Sequence, residues 1–128
     1  MVPRTHNYVP VYGVKTAHPL LILTMTYDPV CPLVSARNAQ QAFEGSQVVE
    51  VQGYGHCSIA MPSLCLARHV RAFLSNGRVP ESHTLCEVDG GYFMPPEEDP
   101  MKAGQEMFAN TEEQRLHAAQ VILARDWA

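Results

Sequence analysis

Residues 18–32 read HPLLILTMTYDPVCP, and the way this stretch starts and stops decides the fold. Its first part is a continuous apolar run opened by proline, the pattern of a strand buried on both faces. Pro29 and Pro32 then end the run, because each lacks a backbone donor and pushes the preceding residue out of the helical region. Asp28 therefore stands immediately beyond the predicted strand.

Outward from this point, residues 33–43 (LVSARNAQQAF) are rich in alanine and glutamine. Val34, Ala39, Ala42 and Phe43 fall near one helical stripe, and Gly45 supplies a stop. The run SQVVEVQ (46–52) is short and β-branched, which predicts a second strand. It leads directly into GYGHCS (53–58), so His56 also stands just past a strand end. A second helix is predicted over 62–76, with Pro62 in its first turn and Asn76-Gly77 closing it. Leu66, Val70, Phe73 and Leu74 form its apolar stripe, and Arg68 and Arg71 point elsewhere.

Strand, helix, strand, helix is the order of an α/β unit with parallel strands. Two such strands do not make a stable sheet alone, so further strands are expected from another segment. Residues 1–17 show no periodicity. Residues 78–110 carry scattered prolines and the acidic EEDP, and read as extended loop. Residues 111–127 predict an amphipathic helix, with Thr111 and Gln114 at capping-box spacing and Leu116, Ala119, Leu123 and Trp127 on one face. The expected division is 1–17 irregular, 18–89 α/β segment, 90–110 acidic proline-rich loop, and 111–127 terminal helix.

Composition narrows the function. The chain has 128 residues, 46% of them hydrophobic, enough for one compact domain. Nine basic against thirteen acidic residues give a net charge of -4 with no basic run, which argues against nucleic acid. The longest apolar stretch, PLLIL at 19–23, falls far short of the roughly 20 residues of a membrane helix. The N-terminus lacks the apolar core of a secretory signal. Four cysteines, Cys31, Cys57, Cys65 and Cys86, nevertheless allow three full pairings, and they lack the C-x-x-C spacing of structural zinc. A disulfide-capable chain without an export signal suggests part of something longer. No metal or cofactor is expected.

Asp28 and His56 carry the chemistry. Each alone reads as a turn residue: aspartate before proline, and histidine among glycines. Together they occupy two consecutive strand ends, the edge where open parallel sheets build their sites. A carboxylate there can hold one imidazole nitrogen, leaving the other to take a proton from a nucleophile. Acid before histidine matches the last two members of the order Ser…Asp…His. The other histidines are quieter: His6 and His18 fall in or beside the irregular segment, His83 in a loop, and His117 on the terminal helix. His69 lies beside an apolar stripe and reads as a packing residue, and Glu97, Glu98 and Asp99 read as a solvated loop.

The stretches HPLLILTMTYDPVCPLVSARNAQQAF and VVEVQGYGHCSIAMPSLCLARHVRAFLSNGRVPESHTLCE resemble the C-terminal region of tripeptidyl-aminopeptidase-like α/β-hydrolases, over residues 12–89. These are secreted serine exopeptidases. The resemblance implies that Asp28 is the triad acid, His56 the triad base, and Cys65 and Cys86 a disulfide. It further implies peptide substrates cleaved near a free N-terminus. Cys31 departs from the small residue or threonine usual at its position, and stands either as a disulfide partner for Cys57 or as a free thiol. Beyond residue 100 the resemblance fades.

The sequence contains no Gly-x-Ser-x-Gly. Ser58 is too near His56 in sequence to replace that serine, and the Cys57 side chain should diverge from its neighbour's. The chain alone is therefore expected to be inactive, its partner being the missing N-terminal half of the hydrolase. The competing expectation is a non-catalytic folding or interaction module derived from a hydrolase.

Overall fold

The computed structural model describes residues 9, 11–91 and 100–126. His6, the acidic stretch 97–99 and Trp127 lie outside the described residues. The predicted alternation is present: β1 (Leu21–Tyr27), α1 (Leu33–Ala42), β2 (Gln47–Tyr54) and α2 (Leu64–Asn76) follow in order. Three further elements complete the chain: β3 (Thr84–Glu87), α3 (Pro100–Met107) and α4 (Thr111–Asp126). The sheet is parallel throughout, in the order β1-β2-β3.

The sheet thus has three strands within this chain, where the sequence predicted two. β3 pairs Val49 with Thr84, Val51 with Cys86 and Gln52 with Glu87. Side chains on a strand alternate between faces. Met25, Val49, Val51 and Cys86 meet Met61 and Leu66 in one buried cluster on the α2 side. Val48 and Glu50 point the other way and are buried as well. The central strand is therefore covered on both faces. α1, none of whose residues joins that cluster, packs on β1 and β2.

Helix boundaries follow local chemistry. α1 starts after Pro32, whose carbonyl accepts the Ser35 N–H at 2.8 Å. Its N-terminus has no side-chain cap. Ser63, rather than Pro62, stands at the boundary of α2, and its hydroxyl accepts the Leu66 N–H. Gly77 closes that helix, donating to the Phe73 carbonyl at 2.8 Å. Four residues of the predicted apolar faces are exposed: Val34 at 58%, Leu74 at 78%, Leu123 at 46%, and Ala119. α1 buries none of its residues fully, and the α2 contact runs through Leu64, Leu66 and Ala67.

The segment 100–107, expected as loop, is a helix packed against α4. Gly104 explains how. A Cβ at that position would lie 2.9 Å from the Gln114 carbonyl oxygen, so only glycine lets the two backbones approach so closely. At the start of α4 the cap is Asn110 rather than Thr111. Its Oδ1 accepts the Glu112 N–H at 2.8 Å and its backbone carbonyl accepts the Gln114 N–H at 3.0 Å. The Gln114 side chain donates to the Phe108 carbonyl instead of completing a capping box.

α4 closes over α2. The Gln120 side chain accepts the Ser63 N–H at 2.9 Å, and Arg68 and Arg71 pair with Glu113 and Glu112. Ala118, Val121 and His117 are buried beneath it. No described helix is long and apolar enough to cross a membrane.

Candidate acid–base site

Parallel pairing sets the site. Tyr27 lies opposite Tyr54 in the β1–β2 register, so the chain leaves both strands at one level. Asp28 is the next residue on one side and His56 follows two residues on from Tyr54 on the other. The turn that carries the histidine needs unusual backbone. Gly55 has φ 126°, and Cys57 has φ 69°, the described non-glycine residue in the left-handed region. With a Cβ at Gly55 only 3.0 Å from the Ala60 side chain, the turn folds tightly back on itself.

The two side chains meet. His56 Nδ1 lies 3.0 Å from Asp28 Oδ1 and 3.1 Å from Oδ2. Three backbone groups share the same carboxylate: the N–H of Val30 at 2.8 Å and of Cys31 at 2.9 Å on Oδ1, and of Cys57 at 3.1 Å on Oδ2. Asp28 is thus both the turn opener its Asp-Pro context suggests and the partner of His56. One carboxylate does both because Oδ1 takes the two turn amides, Oδ2 takes the Cys57 amide, and Nδ1 lies across both oxygens.

The electrostatics follow from this arrangement. Desolvation pulls the Asp28 carboxyl upward, since its side chain is only 4% exposed. The N–H groups of Cys31, Val30 and Cys57, with His56 behind them, outweigh that and hold it well below the usual carboxylate range. A carboxylate so held keeps its charge at any physiological pH. Accepting from Nδ1–H, it places the other imidazole nitrogen as the proton acceptor. Among the described residues Nε2 has no hydrogen-bond partner, and the His56 side chain is 46% exposed. Nε2 is thus the nitrogen open to a hydrogen-bonding partner from outside the described residues.

The remaining cysteines and serine separate from this pair. Cys65 and Cys86 form a disulfide joining α2 to β3, with Cα atoms 5.5 Å apart. Cys31 and Cys57 are exposed free thiols whose amides, not their sulfurs, engage Asp28. Ser58 makes no hydrogen bond to His56.

Two features escaped the sequence reading. Tyr27 and Tyr54 stack with ring centroids 4.5 Å apart and planes at 16°, both more than half exposed, beside the acid and base. Aromatics at the last paired position of two strands were the available signal. Below them, Glu50 is buried inside β2 and accepts from the Thr26 hydroxyl at 2.6 Å, with His83 Nε2 at 2.8 Å. His83, read as a loop histidine, therefore closes over a buried carboxylate.

The family of TAP-like proteins matches residues 2–86, from the N-terminal segment through β3. Neither the curated proteins nor the solved structures contain a match. α3 and α4 lie outside the matched region. With two thirds of its length matched, a parallel α/β sheet and helices between its strands, the chain belongs to the TAP-like protein family of α/β-hydrolases.

Proposed function

We propose that the chain supplies the acid and the base of a serine exopeptidase, and that the nucleophilic serine comes from a segment outside these 128 residues. The observation that carries this is the Asp28–His56 pair: an ionised carboxylate on Nδ1, with Nε2 unpartnered and half exposed. In this reading His56 takes the serine proton as the hydroxyl attacks a peptide carbonyl, then returns it to the leaving amine. Asp28 keeps its charge throughout, fixing the tautomer and stabilising the imidazolium. Because the sequence has no Gly-x-Ser-x-Gly, turnover requires a second segment, the N-terminal half of the hydrolase. The substrate class, peptides cleaved near a free N-terminus, rests on the family resemblance.

Labelling with a fluorophosphonate tests this. A co-expressed TAP-like segment bearing Gly-x-Ser-x-Gly should become labelled when the chain is present, and lose the label with His56→Ala. Serine labelling of the 128-residue chain by itself would sink the proposal. One observation favours a second reading, a non-catalytic module. α4 pairs with α2 through two ion pairs and buries His117, Ala118 and Val121, capping a face without help from another chain. That reading requires a monodisperse chain with one cooperative melt and no gain in labelling from the added segment.

A further inference from the structure

We propose that Cys65, His69 and Cys86 form a thiophilic metal site that opens when their disulfide is reduced. The three ligand atoms, two sulfurs and one imidazole nitrogen, lie within 4.8 Å of one another. Cys65 and His69 are four residues apart on α2, so they stack on one face of that helix. Cys86 reaches them from β3, 1% exposed and facing the same helix. The sequence alone reads His69 as a packing residue and finds no C-x-x-C. The site is invisible there because one ligand comes from a strand 21 residues away from the first.

Chemistry favours a zinc-class cation. Two thiolates and one imidazole are borderline-soft donors that zinc accepts, and their two negative charges balance the metal's. Around one tetrahedral zinc at about 2.3 Å from each sulfur, the thiolates sit roughly 3.8 Å apart. That separation fits inside the spread of the cluster once the S–S bond is gone. His69 is available: it is half-buried and has no hydrogen-bond partner among the described residues. The described residues offer no fourth ligand to this group, so the last position falls to water, as in zinc sites with three protein ligands.

The exchange balances. A dithiol reductant gives two electrons and two protons to the Cys65–Cys86 bond and itself becomes a disulfide. Zinc then displaces the two thiol protons as it binds the sulfurs. Disulfide and metal are alternative clamps between the same two elements, α2 and β3, and the redox poise of the surroundings selects one.

The test is anaerobic cobalt(II) titration of the Cys31→Ser/Cys57→Ser chain, which removes the two exposed thiols. After reduction, the chain should take up one equivalent, with thiolate charge-transfer and tetrahedral bands that zinc(II) bleaches. The oxidised chain should take up none. His69→Ala, which leaves the disulfide intact, should weaken uptake at least on the order of 100-fold. If reduction unfolds the chain, circular dichroism decides: refolding on zinc addition supports the site, and a chain still unfolded in saturating zinc overturns it. Uptake equal in oxidised and reduced chains, or unchanged by His69→Ala, overturns it too.

Discussion

Asp28 and His117 are both shielded from water, and the fold treats them in opposite ways. The Asp28 carboxylate accepts from three backbone N–H groups and lies against an imidazole, so burial fails to discharge it. His117 is 0% exposed, and among the described residues neither ring nitrogen finds a hydrogen-bond partner. Its ring instead lies tilted against Phe108, centroids 5.4 Å apart. Burial pushes its pKa down, against a smaller upward pull from Asp89. Desolvation opposes charge at both places. The donors decide the outcome: at the strand ends they preserve an anion, and under α4 a histidine is kept neutral as a piece of core.

The largest test of this contrast falls on the donor-rich side. Asp28→Asn keeps the shape of the side chain and can still accept from Val30 and Cys31. Its amide, however, presents N–H where Cys57 needs an acceptor, and it removes the negative charge that lies across His56 Nδ1. In the reconstituted hydrolase we expect kcat to fall about 10⁴-fold, the scale set by losing the tautomer-fixing carboxylate of a triad. Steady-state kinetics on a peptide substrate reads this directly. A loss below about tenfold would reduce Asp28 to a turn residue.

On the donor-poor side the expected change is smaller and of opposite sign. His117→Leu removes two unsatisfied buried nitrogens and keeps an apolar side chain of similar bulk. Relief of that desolvation should stabilise the chain by about 1–3 kcal/mol, less whatever the Phe108 contact contributes. Urea unfolding measures it. A destabilised variant would mean that ring packing outweighs the orphaned polar atoms.

Acid titration brings the two groups onto one axis. Unfolded, His117 binds a proton near its ordinary 6.5; folded, only at lower pH. Below 6.5 the unfolded chain holds a proton that the folded chain refuses, so stability is full above that value and falls beneath it. The folded Asp28 also titrates below its ordinary 3.8, because its charged form is held. Its contribution is present above 3.8 and lost as pH falls through the folded value. Both groups therefore weaken the fold in acid, in windows that open at 6.5 and at 3.8, one by refusing charge and the other by guarding it. Stability curves of His117→Leu should lose the upper slope, and those of Asp28→Asn the lower. A single slope unaffected by either substitution would break the comparison.

The meeting of Asp28 and His56 was legible in the sequence because its causes are local. An apolar run, two prolines and a glycine-rich turn fix where each strand ends, and parallel pairing then brings the ends together. The disulfide came through family resemblance, since spacing alone leaves three pairings open. What stayed hidden depends on partners distant in sequence. β3 is four residues long, its Leu85 is 56% exposed, and it exists by pairing with β2. α3 opens on a proline and contains Gly104, which reads as a break until Gln114 is known to press against it. The burial of His117 and the pairing of Glu50 with His83 are likewise set by packing.

The smallest effect concerns what holds α4 in place over α2. Arg71–Glu112 and Arg68–Glu113 are the ion pairs between them, but three of these four side chains are more than half exposed. Water and salt screen such pairs, and ordering two long side chains offsets much of the attraction. A double-mutant cycle on Arg71→Ala and Glu112→Ala should therefore give a coupling under about 1 kcal/mol, smaller still in high salt. If so, α4 is seated by its buried side, and His117 belongs to that seat in spite of its unpaired nitrogens. A coupling of several kcal/mol would move the anchor to the rim and leave the burial of His117 as its consequence.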